Sequence, residues 1–530
     1  MRLTRLVLVG ALAFAACSDD RSNPLRVELD TGVVIGLGKD GVREFVRIPY
    51  AAPPVGELRF KPPQPPASWD EERELITPSD PCPQGVSFAG GGVEDCLFIN
   101  VWVPENPRSS GTLPVMVWLH GGAFIFGSGS DAYYSGANLA AAQGVIVVNL
   151  NYRLGAFGFL AHPALAAEDP AYPSSGNWGI DDQFAALEWV QRNIEAFGGD
   201  RTKVTLFGES AGGYSTCVHY VAPRTEGLFR AAISQSGVCT TSLLELTRQE
   251  AETAAIGVAD LLGCTGSNPQ IAACLRTKTV MEFIDATNPI QMGAPPGGPF
   301  YQGGPPIVTL PNIDGFVIER SLRETFESGE FVARPLILGA TKDEGTLFHT
   351  SLFATLVEDE TQYREALARR FPADRIDEIV ARYPIASFGT AMPANRAIAE
   401  VSGDAFFVCP ARRTARAVAM KAKTFYYSFQ QEPSQAFMPD LGVFHSAEIP
   451  FLFATDPRYP LARAGDTGKP TQDLMQALWA EFVTTLDPNH DGAPAWPEYA
   501  RTTEDHLVIA NDPTVGSAYK SALCDFWDGV

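Results

Sequence analysis

The stretch Val204-Thr205-Leu206-Phe207-Gly208-Glu209-Ser210-Ala211-Gly212-Gly213 decides the fold. A strand-like run, Val204–Phe207, feeds Gly208-Glu209-Ser210-Ala211-Gly212, and a helix can follow. Glycines at 208 and 212 let the chain turn sharply enough to lift Ser210 above the edge of a sheet. The serine then opens a helix, whose amides and dipole favour a developing anion. The N–H of Ala211 is the first donor placed to meet that anion. A bare Gly-x-Ser-x-Gly recurs by chance in unrelated chains, so the surrounding sequence carries the weight.

Upstream, Val115 to Leu119 runs into His120-Gly121-Gly122-Ala123-Phe124. A glycine pair after a buried strand supplies freely exposed amides, here those of Gly122 and Ala123, beside the serine corner. Removing one such donor typically slows a reaction about 100- to 1000-fold. The competing reading is a plain tight turn, which its place before the serine strand makes weaker. Other near-continuous apolar runs, Phe98–Val103 and Val145–Leu150, read as strands buried on both faces. Shorter strands are expected at Val33–Ile35, Val42–Ile48, Ala231–Ile233, Pro335–Gly339 and Thr424–Phe429. From Gln183 to Phe197, Phe184, Leu187, Val190 and Ile194 recur at helical spacing. This alternation predicts an α/β fold with a large, mostly parallel central sheet and helices on both faces. The stretches 240–325 and 350–420 read as helical cap insertions. Within the first, the Gly- and Pro-rich Pro295–Pro311 either shapes a pocket or is a surface loop.

The 530 residues are 45% hydrophobic and 19% charged, with a formal net charge of -22. Such a chain can bury a large core. As a polyanion it is expected to bind neither nucleic acid nor anionic lipid, and the acidity is read as a solubility device. Arg2 and Arg5 precede an apolar run from Leu6 to Ala16, too short to span a bilayer but suited to a secretory signal. The run ends in Phe14-Ala15-Ala16-Cys17, which resembles a bacterial lipoprotein box with Cys17 lipidated. The alternative is ordinary cleavage near Ala16 and a free secreted product. The expected organisation is a signal peptide at 1–16, a short tether at 17–24 and one domain over 25–530. No membrane span is expected, and any membrane link would be that lipid anchor.

With these motifs in place, the sequence resembles the type-B carboxylesterases, the family of cholinesterases and many microbial esterases and lipases. Phe197-Gly198-Gly199-Asp200 leading into Gly208–Gly212 is similar to the family's nucleophile signature, and Glu94-Asp95-Cys96-Leu97-Phe98-Ile99-Asn100 to its second. Asn151–Gly158 (NYRLGAFG) and Gly176–Gln183 (GNWGIDDQ) fit as well. The resemblance implies the α/β-hydrolase fold and a carboxylic-ester hydrolase that forms an acyl-enzyme on Ser210 without metal or organic cofactor. It implies a Ser-Glu-His triad: the acid at Glu344 in Thr341–Thr346 (TKDEGT) and the base at His445 in Val443–Pro450 (VFHSAEIP). From residue chemistry alone Asp343 is an equal candidate for the acid, and His445 is one of seven histidines. His120 is read as support for the glycine loop and His219 as facing away. The resemblance further implies supporting roles for Glu209 and Ser236, ion pairs Arg59–Glu94 and Arg153–Asp182, and disulfides Cys82–Cys96, Cys264–Cys274 and Cys409–Cys524. The last closes a long loop, a contribution of roughly 4 kcal/mol in the chain-entropy picture. Cys217 and Cys239 would stay free.

Cholinesterases hold a cationic substrate with a tryptophan in the loop of the first disulfide. Here that loop, Pro83–Asp95, holds none, so a choline-ester preference is not expected. The Gly-Gly-Ala form of the oxyanion loop resembles esterases that accept bulky alcohols. The rival functions are a lipase acting on longer-chain lipid esters and a non-catalytic cholinesterase-like binding protein. Asp487, Asn489, Asp491 and Glu498 match the spacing of an EF-hand calcium loop. Pro494 and Pro497 interrupt it, so a plain surface turn is the preferred reading and no metal is expected.

Overall fold

The apolar runs of the sequence divide onto two faces with a period of two. In the strand Leu113–Leu119, Val115, Val117 and Leu119 enter one core while Met116 and Trp118 enter another. In Ile146–Leu150, Ile146, Val148 and Leu150 part from Val147 in the same way. A strand that reads as unbroken hydrophobic sequence is thus shared between two cores, as a sheet covered on both sides requires. The computed structural model describes residues 23–85, 91–107, 111–241, 245–292, 310–350, 356–438, 440–454 and 462–530. The leader, Cys17 and most of Pro295–Pro311 lie outside the described residues.

Among the described residues the central sheet has eleven strands. In chain order they are β1 (Leu37–Lys39), β2 (Val42–Pro49), β3 (Phe98–Pro104), β4 (Leu113–Leu119), β5 (Ile146–Leu150), β6 (Gly199–Glu209), β7 (Ala231–Gln235), β8 (Leu336–Thr341), β9 (Thr424–Phe429), β10 (Asp505–Ile509) and β11 (Thr514–Ser517). In space they run β11-β10-β9-β8-β7-β6-β4-β5-β3-β2-β1. From β5 to β10 neighbours are parallel, and both edges are antiparallel. The expected mostly parallel sheet is therefore present. Strand β3 is fully buried yet runs antiparallel to β5, because an apolar run reports burial and not direction. The C-terminal hairpin β10–β11 was not anticipated: β11 is largely exposed and carries no apolar run.

Helices α2 (Trp178–Asn193), α3 (Ala211–Val221) and α4 (Cys409–Val418) cover one face, and α1 (Ala137–Gln143), α5 (Ile449–Phe453) and α6 (Lys469–Thr485) the other. Helix α2 begins five residues before the predicted Gln183; its first turns bury Trp178 and Ile180 together with Asp182, which pairs with Arg153. Both implied ion pairs form. Arg153 Nε and Nη2 donate to the two Asp182 oxygens at 2.8 and 2.7 Å, and Arg59 Nε donates to Glu94 at 2.7 Å.

The three implied disulfides form, with Cα separations of 5.1, 5.5 and 4.9 Å. Cys217 and Cys239 are not free: they form a fourth, with Cα atoms 5.5 Å apart. The cause is the packing of α3 on β7. Gly213 and Gly237 approach until a methyl group on Gly213 would lie 2.7 Å from the Gly237 Cα, and Cys239 is carried over Cys217 within bridging range.

The Arg153–Asp182 pair is 2% and 0% exposed in its side chains. Arg153→Met is expected to destabilise the protein by about 3–5 kcal/mol by leaving a buried carboxylate unpaired. Arg153→Met with Asp182→Leu should recover most of the lost thermal midpoint. A double variant no more stable than the single one would show that the pair's worth lies elsewhere.

Candidate active site

Ser210 sits at the junction of β6 and α3 with φ 57° and ψ -122°, a backbone region that residues other than glycine avoid. Its N–H donates to Gln235 O at 3.0 Å. The flanking glycines are required by contact: a methyl group on Gly208 would lie 2.4 Å from Gly212 O, and one on Gly212 1.9 Å from Leu119 O. The glycine loop after β4 is equally close, since a methyl group on Gly121 would lie 3.1 Å from Ser210 Cβ. Gly122 and Ala123 both have positive φ, 109° and 52°. Among the described residues neither N–H reaches a protein acceptor, and the Ala211 N–H belongs to the open first turn of α3. Three amides therefore border the serine corner. His120 is buried, as its assigned supporting part needs: its Nδ1 lies 2.8 Å from Gly121 O, its ring stacks on Tyr152, and burial lowers its imidazole to about 4.

His445 Nδ1 lies 2.6 Å from Glu344 Oε2. The other oxygen of Glu344 accepts from Ser236 Oγ at 2.6 Å and from Thr341 N at 2.7 Å. Asp343, the equal candidate by chemistry, instead accepts from the backbone N–H of Val443 at 2.8 Å. The structure thus pairs Glu344, not Asp343, with the imidazole. His445 Nε2 is 3.2 Å from Glu209 Oε1, off the line of a hydrogen bond, and makes none. That nitrogen lies beside the residue immediately before Ser210 with its hydrogen-bonding direction open. Glu209 Oε1 also accepts from Ser446 Oγ at 2.5 Å. Phe348 and Phe407 pack on the imidazole with ring centroids 5.2 and 4.8 Å away.

Burial alone would lower the His445 imidazole, but Glu209 and Glu344 together raise it to about 9. Burial pushes Glu209 up, with His445 and Ser446 acting against that rise. The other histidines are taken up elsewhere. His219 Nε2 lies 2.9 Å from Gln183 on α2, turned from the serine as expected, and His349 Nε2 lies 2.9 Å from Ser402. His162 caps a short helix by accepting from Ala164 N. His506 packs against Tyr426 and Tyr519.

The EF-hand spacing at 487–498 forms a turn. Asp487 Oδ1 accepts from the Asn489 N–H and side-chain amide, and Asn489 Oδ1 accepts from Trp496 N at 2.7 Å. Among the described residues no group of three or more His, Cys, Asp or Glu side chains is arranged to hold a metal. Sequence reasoning gave no part to Glu448, Gln235, Tyr427 or Trp479: Gln235 stands opposite Glu209 in the sheet, donates to Glu448 and accepts from Trp479, whose ring packs on Tyr427. Glu448 lies only three residues beyond His445, but nothing in the sequence says that its side chain turns inward.

A profile of the carboxylesterase family matches residues 23–527. The chain belongs to the carboxylesterase family. Its carboxylesterase relatives include a cocaine esterase of Homo sapiens, 32% identical over 96% of this chain and 91% of that protein. A para-nitrobenzyl esterase of Bacillus subtilis (strain 168) is 34% identical over 91% of this chain and 94% of that protein. A solved structure of a PNB esterase superposes with a TM-score of 0.81 at 33% identity, covering 95% of this chain and 100% of that one.

Glu209→Gln removes one of the two carboxylates that hold the His445 imidazole up. The imidazole midpoint, followed by nitrogen NMR of histidine-labelled protein, is expected to fall by about one unit or more. An unmoved midpoint would mean that Glu344 alone sets it.

Proposed function

We propose that the protein is a serine carboxylic-ester hydrolase in which Ser210 is the nucleophile, His445 the general base and Glu344 the acid that orients it. The observation that carries this reading is the arrangement of His445: Nδ1 held by Glu344 at 2.6 Å, Nε2 left open beside Glu209, and Ser210 next in the chain. Esterase names among the relatives support the same chemistry.

In this mechanism Nε2 takes the Ser210 hydroxyl proton as the oxygen attacks the ester carbonyl. Glu344 keeps the Nδ1–H tautomer and stabilises the imidazolium that forms. The amides of Gly122, Ala123 and Ala211 receive the oxyanion, where fixed donors in a dry site act strongly. His445 returns the proton to the departing alcohol. Water, activated by the same nitrogen, then hydrolyses the acyl-enzyme and restores Ser210. Base catalysis needs the neutral imidazole, so activity rises as pH climbs through the His445 midpoint.

Export to an oxidising compartment, with lipid attachment at Cys17, completes the proposal. The four disulfides favour such a compartment. Among the described residues no helix is long and apolar enough to cross a membrane. Cys17→Ser should convert a detergent-partitioning protein into an aqueous one, and equal partitioning of the two would discard the lipid anchor.

Hydrolysis of p-nitrophenyl esters of graded chain length tests the chemistry and separates a short-chain esterase from a lipase. Ser210→Ala is expected to lower kcat by about 10⁴-fold or more, and Glu344→Gln to lower it strongly through loss of the tautomer. Turnover unchanged in Ser210→Ala would defeat the assignment.

A further inference from the structure

Three carboxylates, Glu209, Glu344 and Glu448, crowd one imidazole, and they are 2%, 1% and 0% exposed. Three buried anions around a single cation are costly, so at least one holds a proton. Glu344 is supported as an anion by three donors: Ser236 Oγ, Thr341 N and His445 Nδ1. Glu209 has Ser446 Oγ and the nearby imidazole. Glu448 has much less. Its Oε1 accepts from Gln235 Nε2 at 3.1 Å, and its Oε2 has no hydrogen-bond partner.

The position of the proton follows from the register of the sheet. Glu209, Gln235, Gly339 and Tyr427 form one row across β6, β7, β8 and β9. Gly339 leaves the gap that the Tyr427 ring fills, since a methyl group there would lie 2.5 Å from the ring. On the same face, α6 brings the Trp479 indole N–H to Gln235 Oε1 at 3.1 Å. An indole can only donate, so the Gln235 oxygen is fixed toward Trp479 and its NH₂ toward Glu448 Oε1. That oxygen must accept, and a proton on Glu448 belongs to Oε2.

We infer that Glu448 is a positioning residue that stays protonated at neutral pH, so that His445 faces two negative charges rather than three. This rests on the proposed roles of Ser210, Glu344 and His445. Burial, then Glu209 and Glu344, pushes its carboxyl up to about 8. Besides these and His445, the titratable groups facing it are Tyr427, whose hydroxyl is buried without a hydrogen bond, and Tyr133, which donates to Ser446 O. Of the charged residues on neighbouring elements, Lys469 and Asp473 of α6 are exposed and paired with each other, and Arg463 is half-buried on a short strand beside α5. Above its midpoint Glu448 gains a charge, which raises the imidazole further and delays release of its proton.

Infrared difference spectra of wild type against Glu448→Gln at neutral pH should show the carbonyl band of a protonated carboxylic acid, lost in the variant and fading in wild type as pH passes about 8. Glu448→Ala, which leaves the Gln235 amide unpaired, should lower kcat about tenfold, and Gln should recover most of that loss. Absence of the band, or a Glu448→Gln variant as slow as Glu448→Ala, would overturn the inference. The infrared readout needs no turnover and can be repeated in Ser210→Ala. Its failure is therefore distinct from failure of the Ser210 assignment, which full activity in Ser210→Ala would show.

Discussion

A single close approach of two backbones holds the site together. The Cα of Gly212 lies so near the end of β4 that a methyl group on it would meet Leu119 O at 1.9 Å. Strands β4 and β6 are hydrogen-bonded neighbours with Leu119 opposite Gly208, so this contact is dictated by the sheet. It leaves the loop after β4 nowhere to go except beside Ser210, and the amides of Gly122 and Ala123 arrive there with it. The conformation of Ser210 costs about 1–3 kcal/mol. It persists because both ends are anchored, β6 within the sheet and α3 within a core and through the Cys217–Cys239 bond.

The electrostatics follow a different rule at the site than elsewhere. Away from it, several buried acids are matched by fixed cations: Asp182 by Arg153, Glu504 by Arg412, Asp404 by Lys520. Among the described residues no arginine or lysine pairs with Glu209, Glu344 or Glu448. The compensating charge there is a proton on an imidazole, and in the proposed account a second proton on Glu448. Arginine would neutralise the same carboxylates permanently. Protons can be moved within one catalytic cycle, which a general base requires.

The fold was largely legible in the sequence, because strands shared between two cores leave long apolar runs and the glycines around Ser210 are contact requirements. The pairing of Glu344 with His445 was legible only through family resemblance. Asp343 and Glu344 are adjacent carboxylates, and no local property separates them. Glu448, Gln235 and Trp479 were not legible, because their association depends on register across β6 and β7 and on the docking of α6. The Cys217–Cys239 bond escaped for a similar reason: spacing of 22 residues says nothing about a helix folding back on its neighbouring strand. At 487–498 the turn preferred from the sequence is what forms, since Asp and Asn oxygens suit a turn as well as a cation.

Why Glu344 rather than its neighbour pairs with His445 has a physical answer in strand order. The loop after β4, Ser210 after β6, Ser236 after β7 and Glu344 after β8 follow one another across adjacent parallel strands. With strands about 4.8 Å apart, the serine and the acid are two strands, about 10 Å, from one another, a gap that an imidazole can span only if its loop is brought over the strand ends. Asp343 provides that anchorage. It forms a β-bridge with Phe444, its N–H donates to Val443 O at 2.9 Å, and its carboxylate accepts the Val443 N–H. Glu344 follows in the turn that the Thr346 N–H closes onto Asp343 O at 3.1 Å, and with Asp343 fixed on the histidine loop its carboxylate lies between Ser236 and His445. The two carboxylates that chemistry could not rank are thus both used, one to dock the histidine loop and the other to hold the imidazole.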